Sequence, residues 1–246
     1  MLRIADLGAE LLRIAAAGAD QLHLLVQIAG LPLAQLRFVA ALNPALICRT
    51  HALFTMAHPR YRIVRHKTLG VALIDLRAFA DGAAYLHSVR QKDYGGYQAR
   101  RARARGYTVA EIDRNAYLDD IHCINTSLAV RQGRPMDQGY AERCEHFEDE
   151  ASFRYYGVLD GDGRLAAYCD LGVYGDFAAT DRLLGYKNSD GVMYLLLADI
   201  ACRLIDEQRL HYLMYDTYLG AQSGLREFKR KLGFRPYRVH YAIDRG

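Results

Sequence analysis

The sequence predicts an α/β (α+β) domain over residues 61–246, preceded by a helical extension over residues 1–60. Three stretches predict it. Val192 to Ile205 is apolar almost all the way round a helix; HYLMYDTY is short and rich in β-formers; GLREFKRKLGF is amphipathic, and a strand-like run then ends at Ile243. In RYYGVLDGDGRLAAYCDLGVYG, two β-rich runs flank Asp160, Gly161, Asp162 and Gly163, the composition of a tight hairpin turn. Residues 1–57 are rich in Leu and Ala, with Pro32 and Pro44 as punctuation.

With 246 residues, 51% of them hydrophobic and 24% charged, the chain can bury a sizeable core and is too apolar for a disordered segment. A formal charge of +4 permits an anionic partner without demanding one. The five cysteines, Cys48, Cys123, Cys144, Cys169 and Cys202, form no C-x-x-C pair, and four of them fall at apolar positions. That usage predicts buried thiols in a reducing, cytoplasmic setting, with neither disulfides nor zinc. The histidines show no H-x-x-x-H or H-E-x-x-H spacing. Leu22 to Leu46, the longest apolar approach, is interrupted by His23, Gln27, Pro32, Gln35, Arg37 and Pro44. It reads as helices and not as a membrane span, and no signal-peptide pattern opens the chain.

In the extension, Leu7, Leu11 and Ile14, then Leu24, Ile28 and Leu31, recur at helical spacing. They predict two or three short helices serving as a cap or a homodimerisation arm, or else as a partner- or membrane-surface helix. From Tyr61, YRIVRH and VALIDL read as strands. Phe79 to about Arg105 reads as helix, broken at Gly95 and Gly96. Its second half interleaves Lys92, Arg100, Arg101, Arg103 and Arg105 with Tyr94, Tyr97 and Tyr107. Such a run is either a solvated face or a footprint for phosphate, since arginine holds phosphate bidentately and tyrosines stack on bases.

YTVAEI is then a strand, and Ala116 to Ser127 a helix capped by Asn115 with Tyr117, Ile121 and Ile124 inward. VRQGRPMD is a loop; Tyr140, Cys144 and Phe147 mark the inner face of a further helix. On the second run of the hairpin, Leu165, Ala167, Cys169, Leu171 and Val173 share one face, and Tyr168, Asp170, Gly172 and Tyr174 the other. The last helix ends where Gly233 supplies a left-handed residue and Pro236 blocks continuation. Leu225, Phe228 and Leu232 form its inner stripe, and Lys229 stands at the i+4 place where another apolar residue belongs. Either its stem packs while the ammonium reaches water, or the ammonium points into a site.

The order helix, strand, helix, Gly-Phe, strand, with LREFKRKLGFRPY at the end, resembles the C-terminal half of the GNAT acyltransferase fold. The FK pair before the Gly-Phe corner is similar to the Fem-type peptidyl or aminoacyl transferase branch. So is YQARRARARGYTVAEID, where a basic helix ending in Gly runs into a strand. The resemblance covers residues 61–243 and implies a GNAT-like mixed central sheet flanked by helices, with an N-terminal helical extension. The implied activity is transfer of an acyl or aminoacyl group to the amine of a small molecule or peptide.

The resemblance also implies site residues. The donor would lie along the strand beginning at Leu165, beside Tyr168, with its pyrophosphate at Lys187, Asn188, Ser189 and Gly191 before the buried helix. Arg131 and Arg134 would hold an acceptor's carboxylate or phosphate. Asp216, where two parallel strands would part, is expected to act as base or to orient the amine, with Asp170 second. Tyr215 or Tyr218 would protonate the leaving group, and Lys229 would stabilise negative charge.

Two features depart from the family pattern. Lys229 occupies a place where ordinary GNAT acetyltransferases often carry an acid-supplying Tyr. The loop around Gly191 has one glycine, one base and Asp190 where acetyl-CoA enzymes carry Q/R-x-x-G-x-G/A. An acyl-CoA donor is favoured by the fold, and an aminoacyl-tRNA by these departures and by Arg100, Arg101 and Arg103; either would be a co-substrate, not a permanently bound cofactor. The rival class is a non-catalytic protein holding RNA on the basic helix or a partner on the N-terminal helices.

Overall fold

Alternating or continuous apolar runs supply the strands of one mixed eight-stranded sheet. The computed structural model describes residues 28–57, 65–131, 134–136, 138–187 and 190–245, with Arg131 and Arg134 described through their backbone alone. The sheet order is β1 (Leu33–Val39), β10 (Arg235–Asp244), β2 (Leu69–Asp75), β9 (Tyr212–Thr217), β8 (Phe177–Gly185), β7 (Leu165–Val173), β6 (Phe153–Leu159) and β3 (Thr108–Glu111). β1 with β10 and β8 with β9 are parallel; the other neighbours are antiparallel.

The long apolar segment forms α6 (Val192–Glu207), which crosses from β8 to its parallel neighbour β9 and buries Leu195, Leu196, Leu197, Ile200, Leu204 and Ile205 on one face of the sheet. Each such side chain contributes about 1.5–3 kcal/mol by leaving water. α3 (Gly95–Ala104) packs against α6 with small Ala99 and Ala102 buried in the shared core, while Gly95 lies against Leu232 and Gly96 against the Leu86 and Val89 carbonyls. α2 (Gly82–Ser88) and α7 (Ser223–Lys231) complete that layer. The opposite face carries α1 (Pro44–Thr55), with Ile47 and Phe54 in one cluster, and α4 (Leu118–Thr126), with Ile121 and Ile124 in another.

Several expectations change. Leu33–Val39, inside the stretch read as helical, is a strand: Ala34, Leu36 and Phe38 are buried while Leu33, Gln35 and Arg37 are exposed. The period of two was hidden by the Leu- and Ala-rich surroundings. Residues 1–27 and most of YRIVRH lie outside the described residues. The long helix from Phe79 is two helices, α2 and α3. The helix read through Phe147 shrinks to α5 (Gln138–Ala141), and Asn115 does not cap α4. Its amide donates to the Phe147 carbonyl at 3.0 Å and accepts from the Phe147 N–H at 2.8 Å, pinning that segment. Of the cysteines, all free thiols, only Cys169 is buried; Cys48 and Cys123 lie on outward helix faces. Among the described residues, no helix is long and apolar enough to cross a membrane, and no group of three or more His, Cys, Asp or Glu side chains is placed to hold a metal.

Candidate active site

β8 and β9 pair only from Phe177↔Tyr212 to Ala179↔Met214. Both strands continue, to Gly185 and Thr217, but no pairing links them further. Each carries an irregularity at the point of separation. Against β7, Leu171 faces Thr180 while Asp170 faces Arg182, leaving Asp181 as the extra residue of a bulge. Against β2, Val71 faces Thr217 and Leu73 faces Met214, so Tyr215 and Asp216 share one position. Asp216 has φ 47°, the left-handed region that Asp tolerates better than most residues. Bulges bend and overtwist a strand, and two of them on facing strands account for the splay.

The splay lies between two cavities on opposite faces of the sheet. On the α6 side, about 700 Å³ is bounded by Gly185, Lys187 and the start of α6, by Gln98 and Arg101 of α3, and by Leu225 and Phe228 of α7. On the α1 side, about 650 Å³ is bounded by Arg49, Leu53 and Phe54 of α1, by Lys67, and by Asp181 and Asp216. Leu183 and Tyr215 line both.

Electrostatics at the seam follow from burial and neighbours. Lys67 Nζ lies 2.8 Å from Asp216 Oδ1, whose side chain is 54% exposed. The cavity wall pushes the Asp216 carboxyl up, but the Lys67 ammonium, with Lys229 behind it, outweighs that and holds it below the usual carboxylate range. Lys229 is 1% exposed. Its Nζ donates to the Thr217 carbonyl at 2.6 Å and lies 4.3 Å from the Tyr215 ring centroid. The ammonium therefore points to the β9 backbone and not to water. Burial lowers its pKa to about 8 against the opposing pull of Asp216, and burial also pushes the Tyr215 phenol well above its ordinary value.

Other expected residues are placed differently. β7 is paired on both edges, by β6 and β8, so no donor has a free edge there; the free edge belongs to β8 beyond Ala179. Tyr168 is buried, its hydroxyl donating to Asn125 Oδ1 at 2.7 Å, and lines neither cavity. Asp170 is ion-paired with Arg114 at 3.1 Å, away from the seam. Lys187 lies at the α6-side cavity, and Gly191 takes φ 84° at the α6 N-cap, where an added Cβ would come within 2.9 Å of the Gln98 carbonyl oxygen. Asn188 and Ser189 lie outside the described residues. Asp190 does not cap α6: Arg105 holds it at 2.7 Å and the Tyr107 hydroxyl at 3.0 Å.

The basic helix divides in the same way. Arg103 pairs with Asp199 of α6 at 2.9 Å and Arg105 with Asp190, so both bolt α3 to its neighbour. Arg100 is exposed, and Arg101 lines the α6-side cavity. Arg131 and Arg134 belong to the two strands of a small hairpin, β4 (Val130–Arg131) and β5 (Arg134–Pro135), and adjacent Val130 lines the α6-side cavity. Lys67, Asp181 and Arg49 were not anticipated as site residues. Asp181 lies in Phe177–Gly185, a run for which the sequence reading offers no element, and Lys67 lies between two expected strands.

Neither a family model nor a curated protein sequence matches the chain. Solved structures with a similar backbone include FemX, at 11% identity and TM-score 0.47 over 68% of this chain and 59% of that one. L-PGS from Bacillus licheniformis is similar at 17% identity and TM-score 0.43, over 68% and 57%. A tandem GNAT protein from the clavulanic acid biosynthesis pathway is similar at 17% identity and TM-score 0.43, over 68% and 50%. The chain thus spans less than two thirds of the length of each. With an antiparallel β6–β7–β8 run, an α6 crossover to a splayed parallel β9, and an exit through α7, Gly233-Phe234 and β10, the chain has a GNAT-like fold.

Proposed function

We propose that the chain is an acyltransferase in which an activated donor enters from the α6 side and an amine acceptor from the α1 side, the two meeting between β8 and β9. The observation that carries this reading is that Leu183 and Tyr215 line both cavities. The amine nitrogen attacks the donor carbonyl, and a C–N bond forms. The resulting oxyanion faces the β8 edge beyond Ala179, whose amides have no strand beside them on that side. The C–S or C–O bond to the leaving group then breaks, and the leaving group takes the proton of Tyr215, a phenol that burial keeps protonated. The Lys229 ammonium beneath the ring favours the phenolate so formed. Asp216, pulled below the usual range, is a weak base and orients the amine; Asp181 on the facing bulge accepts the proton the amine loses.

The donor cavity opens at the N-terminus of α6 beside Arg101 and Lys187, a setting that favours phosphate. Acyl-CoA and aminoacyl-tRNA both carry phosphate, and neutralisation of Asp190 by Arg105 removes one objection to either. Incubating the purified protein with CoA thioesters and with charged tRNA, each with amine acceptors, and following mass transfer tests the reading and separates the donors. Salt-dependent RNA binding lost on replacing Arg100 and Arg101, with no transfer from either donor, would support the non-catalytic alternative.

A further inference from the structure

Beside the α1-side cavity lies a polar annex of about 320 Å³, with which it shares Leu46, Arg49, Phe153 and Asp181 as lining. At the annex wall lie Arg114 and Asp170, 7% and 3% exposed. Arg114 is held by the Glu148 carbonyl at 2.5 Å and by the Tyr155 ring at 3.7 Å as well as by Asp170. Even so, Asp170 Oδ1 and Arg114 Nε have no partner. Buried polar atoms left in that state are uncommon and costly.

Two more guanidinium groups reach the same annex. Arg49 projects from α1, and Arg182 lies next to the β8 bulge, between the rings of Tyr140 at 5.8 Å and Phe147 at 5.9 Å. Strand alternation would send Asp181 and Arg182 to opposite faces, but the bulge lets both line this space. Neither the Arg49 nor the Arg182 side chain makes an ion pair or hydrogen bond among the described residues, although the Arg182 charge pulls the Asp170 carboxyl down against its burial. The nearby acids are otherwise engaged: Glu150 accepts from Asn43 Nδ2 at 3.0 Å, and Glu148 faces His146 at 3.8 Å. Asp216, paired with Lys67, thus lines the seam cavity, Arg49 and Asp181 belong to the lining that both spaces share, and Arg182 lines the annex, where Glu148 and Glu150 also lie.

From these two guanidinium groups beside the seam carboxylates we infer that the acceptor is an amine that also carries a carboxylate, the amine lying at Asp216 and Asp181 and the carboxylate at Arg49 and Arg182. The inference rests on the acyltransferase reading for the word acceptor, but not for the binding itself. It moves the carboxylate contact from the hairpin arginines expected from sequence to α1 and the β8 bulge, and makes α1 the roof of the acceptor site.

The test is calorimetric binding, without donor, of an ω-amino acid ladder from glycine to 6-aminohexanoate and of the corresponding primary amides. At least one acid is expected to bind about tenfold more tightly than its amide, the scale of a charge-assisted contact to arginine. Arg49→Gln, at an exposed position, and Arg182→Gln should each erase that preference while leaving amide binding unchanged, which a merely structural role would not do. Equal binding of acids and amides, a preference that survives both substitutions, or no binding across the ladder overturns the proposal. An intact preference with no acyl transfer from any donor would overturn the acyltransferase reading alone. Transfer to acids and amides alike would overturn this one alone.

Discussion

Lys67 and Asp216 form a 2.8 Å ion pair at the bulge where β9 leaves β8. Lys67 is the first cause holding the Asp216 carboxyl below its usual range, so Lys67→Met should raise that pKa. The acid limb of the pH–kcat/KM profile should then move to higher pH, as the amine-orienting carboxylate becomes protonated sooner. An acid limb at the same pH in both proteins would mean that Asp216 does not act in turnover. Asp216→Asn should abolish transfer with the denaturation midpoint nearly unchanged, since the side chain is more than half exposed.

Lys229 gives a stability signature. Its pKa in the fold is about 8 against 10.5 in the unfolded chain. Between those values the unfolded chain holds a proton that the folded one has released, so stability rises with pH across that window and the gain is absent below about pH 8. The shift corresponds to roughly 3 kcal/mol. Urea unfolding at pH 7 and pH 10.5 should show a gain of that order in the wild type relative to Lys229→Met. Parallel profiles for the two proteins would show that the amine is not desolvated.

At Gly191 a side chain is excluded twice, by the left-handed backbone and by the Gln98 carbonyl. Gly191→Ala is expected to cost about 1–3 kcal/mol in denaturant unfolding and to weaken donor affinity by displacing the α6 N-terminus from α3.

Arg101 and Arg103 sit two places apart on α3 yet differ in role. Arg103→Gln breaks a half-exposed ion pair with Asp199 and should cost under about 1 kcal/mol, leaving donor binding intact. Arg101→Gln should leave stability alone and weaken donor binding. Equal effects on donor binding would place the phosphate elsewhere.

The C-terminal third is legible because each of its signals is local: the largely apolar α6, the β-former run of β9, the misplaced Lys229 and the Gly233 stop can each be read within a single element. The hairpin itself, β6 to β7 through Asp160 to Gly163, is legible for the same reason. What escaped depends on register between distant strands. Nothing local marks Asp181 as the extra residue of a bulge, or Leu33–Val39 as the parallel partner of the chain's last strand. Tyr168 lies one strand away from the splayed pair, on a strand paired at both edges; the expected alternation holds from Ala167 to Val173, but an irregularity at Ala166 turns Leu165 to the Tyr168 side. Half of the arginine run was consumed by Asp190 and Asp199, acids that lie far along the sequence.

Leu183 and Tyr215 form the seam between the two cavities, and substitution there tests the through-sheet site most directly. Leu183→Trp should fill the opening, so single-turnover acyl transfer is to be compared with the separate affinities for donor and amine. The expected result is transfer reduced by about a hundredfold or more, the scale on which misplacing reactants slows a reaction, with both affinities retained. Undiminished transfer in Leu183→Trp, or no transfer by the wild type from either donor class, would contradict it.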